Sequence, residues 1–109
     1  MAVTEQHTTS RLSRLERMIR IYEAGQMSEL MDRTLDKLFS LEAYEEEKAI
    51  KTLRADLDEL EARFGMESSD FFERFERGEM GDDIDFIEWA SLYQMYEHAS
   101  QRLALLTGS

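Results

Sequence analysis

The sequence predicts an all-α fold: an antiparallel helical hairpin or small bundle with a long central helix, a short corner helix and an N-terminal amphipathic helix. Three observations predict it. The 109 residues include no proline, so no ring blocks a helix from within. Glycine stands only at Gly25, Gly65, Gly78, Gly81 and Gly108, so helix breaks are few and placed. Between them apolar residues recur at alternating steps of three and four, the rhythm of one helix face.

Residues 1–9, which include His7, read as a disordered tail. The first helix is expected over 10–25, running from Arg11 to Ala24 behind a Ser10 or Thr9 cap. Leu12, Leu15, Ile19 and Tyr22 form its apolar stripe, and Gly25 supplies a left-handed stop. The second helix is expected over 28–64, capped by Ser28 and ended by Gly65. Ile50, Leu53, Leu57, Leu60 and Phe64 form a heptad seam. The same face carried backward collects Met31, Leu35, Leu38, Phe39 and Ala43, with Glu42 and Glu46 among them. Leu30, Leu41 and Tyr44 lie on another side, so residues 28–44 are apolar on two faces and both require cover.

The third helix is short, 69–77, capped by Ser68 or Ser69, with Met66 stapled onto its phenylalanines and Gly78 ending it. The fourth, 82–106, opens at Asp82 or Asp83, where acids suit the positive end of the dipole. Trp89, Leu92, Tyr96, Ala99, Leu103 and Leu106 would pair with the 50–64 seam as the hairpin. Residues 107–109 read as a tail, and 10–106 as one helical domain. Residues 22–32 and 75–85 echo each other in sequence, which shared helix–glycine–helix turn chemistry explains.

Charge is uneven. Residues 1–40 hold six basic and six acidic side chains, whereas 41–109 hold seven basic and eighteen acidic and carry the whole −11. An acidic body repels nucleic acid and anionic membrane and favours basic partners. The absence of cysteine excludes disulfides and thiolate chemistry and suits a cytoplasmic location. No apolar run approaches the roughly 20 residues of a membrane span, and MAVTEQHTTS lacks the apolar core of a secretion signal.

No catalytic constellation is readable. Glu42 and Glu46 lie one turn apart, but the Glu-x-x-His repeats of di-metal bundles are missing, and His98 has no third ligand in register. Asp82, Asp83 and Asp85 resemble a calcium loop, yet its twelfth position falls on Tyr93; they read as helix caps. We therefore expect no enzyme activity, metal or cofactor. Arg11, Arg14, Arg17 and Arg20 could touch nucleic-acid backbone, but nothing extends the patch, and they read as a solvated face.

The strings RTLDKLFSLE (33–42) and FGMESSDFFERFERGEMGDDIDFIEWASLYQMYE (64–97) carry a resemblance. Gly65, Met66, Ser68, Phe71, Gly78, Gly81, Asp82, Asp83, Asp85, Phe86, Glu88 and Trp89 match the signature of small, acidic, helical prokaryotic proteins of antitoxin type, encoded beside ribonuclease-like toxins. The likeness covers about residues 27–106. It implies neutralisation of a small basic partner by direct binding and carries no catalytic residue. Two partner-binding surfaces are expected: Leu30, Met31, Leu35, Leu38, Phe39, Leu41 and Tyr44, and the corner Asp82, Asp83, Asp85, Phe86 and Trp89. A homodimer is expected as well. The alternatives are a structural homo-oligomer paired through 28–44, or a small DNA-binding regulator using the four arginines.

Overall fold

The structure is a computed structural model that describes the backbone of residues 2–108 and the side chains of residues 10–108. Four helices make up the described chain: α1 Ala2–Glu23, α2 Glu29–Phe64, α3 Ser68–Glu76 and α4 Ile84–Thr107. The all-α hairpin expected from the sequence is present. Two compact units divide the chain, residues 1–37 and 38–109, where the sequence pattern reads 10–106 as one domain.

In the unit 38–109, α2 and α4 run antiparallel. Arg63 meets Asp85 at 2.9 Å, Arg54 lies over the Tyr96 ring at 5.3 Å, and Arg102 reaches Glu42 at 2.9 Å and Glu46 at 3.1 Å. Residue numbers fall along α2 as they rise along α4, which fixes direction and register together. The short α3 closes the corner. Leu57, Phe71, Trp89 and Ala90 form the buried centre, wrapped by Met66, Phe72, Phe75, Met80 and Phe86 among others. Trp89 stacks on Phe71 with ring centres 3.9 Å apart and planes 5° from parallel. Such a pair contributes about 0.5–1.5 kcal/mol beyond the area it buries.

Helix boundaries follow local chemistry, with two departures from expectation. Ser28 caps α2 as expected: its Oγ accepts from the Met31 N–H at 3.1 Å. At α3 the N-cap residue is Glu67, without a side-chain bond, and Ser68 is not the cap. Its N–H instead donates to Glu61 Oε2 of α2 at 2.9 Å. A carboxylate from a neighbouring helix thus satisfies a donor that the α3 end leaves unpaired. At α4, Asp83 is the cap and accepts from the Asp85 N–H, so Asp82 lies outside the helix. Gly108, placed in the tail from sequence, ends α4 in the left-handed conformation.

In the unit 1–37 the α1 backbone is helical from Ala2, taking in most of the expected tail; the side chains of 1–9, His7 among them, lie outside the described residues. No described side chain of this unit is buried. Met18, Ile21, Met27, Met31 and Leu35 are half-buried, while Leu12, Leu15, Ile19, Tyr22 and Leu30 are exposed. The turn after α1 uses paired bonds, Gly25 N–H to Tyr22 C=O and Gln26 N–H to Ile21 C=O. The turn after α3 repeats them one for one, Gly78 to Phe75 and Glu79 to Arg74. This is the two-bond glycine cap, and it accounts for the sequence echo.

Candidate functional site

The corner surface divides once its side chains are placed. Trp89 has 0% exposure, and its indole N–H donates to Ser68 Oγ at 2.9 Å. Its assignment to a partner surface is corrected: a ring with no accessible area anchors the core, and the one polar atom it carries is already satisfied. Phe86 is half-buried, with rings of Phe64 and Phe71 at 5.1 and 5.6 Å, so it too serves packing first. Asp85 is held by Arg63. Only Asp82 and Asp83 of the five expected corner residues stand exposed, and Asp83 works as a cap. The heptad position of Trp89 shows that it faces something; periodicity alone does not distinguish core from partner.

Beneath that corner lies a polar chain that sequence reading missed. Glu61 takes the Ser68 N–H and pairs with Arg54 Nη2 at 2.8 Å, and Ser68 Oγ takes the Trp89 indole. Burial pushes the Glu61 carboxyl up, but the Ser68 and Arg54 hydrogen bonds outweigh it and hold the group below its ordinary value. Arg54 is held well above its ordinary value, first by Glu61. The serine was legible as a helix-start residue; that its partner sits seven residues back required the Gly65 turn.

Glu42 and Glu46 share Arg102 of α4. The pair thus receives a basic residue, supplied by the same chain, and the guanidinium is raised by Glu42 first and Glu46 second. Among the described residues, no group of three or more His, Cys, Asp or Glu side chains is placed to hold a metal ion.

The surface expected on α2 fares differently in its two parts. In the unit 38–109, Leu38, Phe39, Leu41 and Tyr44 are all exposed, at 52, 47, 54 and 58%. Four large apolar side chains within seven residues are thus about half exposed, with Lys48 5.1 Å from the Tyr44 ring. In the unit 1–37, Leu30 is exposed, and Met31 and Leu35 are half-buried. Arg11, Arg14, Arg17 and Arg20 are exposed on α1. Their spacing of three turns them progressively around the helix, so they form no single basic face.

No helix among the described residues is long and apolar enough to cross a membrane. No family model, curated protein or solved structure matches the chain.

Proposed function

We propose that this protein is a non-catalytic binding protein that captures a small basic protein through α2, centred on Leu38, Phe39, Leu41 and Tyr44. The exposure of those four side chains within seven residues carries the reading, because clustered exposed apolar side chains mark interaction sites. The unit that bears them also carries the full −11 of the chain. Acidic surface around an apolar anchor favours a basic partner, steering its approach while the anchor sets its residence time. The antitoxin type implied by the motif at 64–97 is the specific form of this reading: neutralisation by occlusion of a basic, RNA-cleaving partner, in the cytoplasm.

The test is capture of partners on the tagged protein from native lysate, repeated with Leu38→Asp plus Leu41→Asp. The expected result is one stoichiometric small basic protein on the wild type and none on the variant, with helicity and melting temperature unchanged because both positions are exposed. A partner retained by the variant overturns the assignment of this surface.

A further inference from the structure

Two cavities of about 270 and 310 Å³ are lined by α2 and α4 alone, with no residue of α3. Their lining residues follow a single rhythm. On α2 these are Glu46, Ala49, Leu53, Asp56, Leu60 and Arg63, stepping by three and four, with Glu59 beside Leu60; on α4 they are Asp85, Glu88, Leu92, Met95, Ala99 and Arg102, stepping by three and four, with His98 beside Ala99. One stripe on each antiparallel helix means the two cavities are halves of one groove. From Ala49 to Arg63 it runs about 21 Å at 1.5 Å per residue. The leucines, alanines and Met95 make its floor apolar, and Met95 is 54% exposed.

The chain itself contains a helix with the complementary face. The α1 stripe Leu12, Leu15, Ile19 and Tyr22 is exposed within one chain, and Ser10–Glu23 spans about 20 Å. With that stripe turned to the floor, 100° per residue puts Arg11 and Arg14 on one flank and Glu16, Arg20 and Glu23 on the other. The groove rims carry charge of their own. Near the α3 end the α2 rim bears Asp56 and Glu59, with Arg63 taken by Asp85 of the α4 rim; at the far end Arg102 is taken by Glu42 and Glu46, beside His98. Among the described residues Asp56, Glu59 and Arg14 have no ion-pair partner.

The unpaired acids of the α2 rim set the direction. Laid antiparallel to α2, α1 sets Arg14 over Asp56 and Arg11 over Glu59, and carries Glu23 toward His98. Of the two acids of the α4 rim, Asp85 is held by Arg63, and Glu88 comes level with the uncharged Ser10. Reversed, the helix would set its own glutamates against Asp56 and Glu59. We propose that α1 of a second copy seats in this groove antiparallel to α2, each copy giving its α1 to the other so that the pair closes as a dimer. This surface is separate from the Leu38–Tyr44 stretch and goes beyond the binding reading above.

Sedimentation equilibrium of the full chain tests it. The wild type should show a concentration-dependent species of twice the 12.8 kDa chain mass. Leu15→Asp should leave only monomer. Arg14→Glu and Asp56→Arg should each raise the dissociation constant about tenfold, since each sets like charges together twice per dimer. Combined in one chain, they should return it to within about twofold of the wild type. Leu38→Asp plus Leu41→Asp should leave the dimer intact, so failure here and failure of the partner surface are distinguishable. A monomeric wild type, a dimer that survives Leu15→Asp, or a charge exchange that fails to restore association would each overturn the proposal.

Discussion

Ser68 is 1% exposed and holds two bonds at once, taking the Trp89 indole N–H and giving its own N–H to Glu61. Loss of a buried partner costs more than the bond itself contributes, about 1–3 kcal/mol, because the remaining group stays desolvated. Glu61 is the charged member of that chain, and its carboxyl lies below the ordinary 4.5. The sign follows from linkage: a depressed folded value stabilises fully above the ordinary value, and the contribution is lost as pH falls through the lower one. Glu61→Gln should therefore melt earlier than the wild type at neutral pH, and the gap should narrow as both are titrated into the acid range below the ordinary carboxylate value. Thermal melts across that range would show it; a gap independent of pH would mean the ionised form contributes nothing. At this scale the sequence was least informative. It marks Ser68 as polar near a helix start and Trp89 as one of several seam residues. Which of them is sealed inside depends on contacts made by residues 7 and 21 positions apart.

Helix punctuation, by contrast, was open to reading, because glycine stops act locally. The ends of α1, α2 and α3 fall at or just before Gly25, Gly65 and Gly78, and Ser28 caps α2 as its position suggested. The start of α3 was missed because a neighbouring helix supplies its partner through Glu61; the start of α1 at Ala2 and the Gly108 cap of α4 were missed as well. Gly25 and Gly78 share φ values of +68° and +75°, and neither has an atom within 4 Å of where a Cβ would stand. Alanine at either place thus incurs the same backbone strain, about 1 kcal/mol, without a clash. The consequences should differ by unit. Gly78→Ala strains the corner that holds Phe71 and Phe75 in the core, and should lower the main melting transition by roughly 4–8 °C. Gly25→Ala strains a turn in a unit with no buried side chain among its described residues, and should leave that transition within about 1 °C. Paired calorimetric scans decide it; equal shifts would show that the α1 turn melts with the core.

Across the whole chain, the apolar residues split into those with cover and those without. Periodicity identified the seam at 50–64 and the stripe on α1 by the same rule, but it reports that a face is apolar and not what lies against it. For the seam the cover is α4 and α3, and Leu57, Phe71 and Trp89 reach 0% exposure. The α1 stripe Leu12, Leu15, Ile19 and Tyr22 is exposed, and most of a helix's stability in water comes from packing its apolar face. Opening free energies should follow that division. In dilute solution, amide hydrogens of residues 11–23 should exchange within seconds to minutes, while those of 53–60 and 89–99 exchange only with global unfolding. Raising the concentration should then slow exchange in α1 and leave the core amides unchanged, because association adds stability to whatever it covers in proportion to the logarithm of concentration. Mass-spectrometric exchange at two protein concentrations measures both effects together. Fast exchange in α1 at every concentration would mean that its stripe meets no second copy. Equal protection of α1 and the core in dilute solution would mean that its cover comes from within the chain.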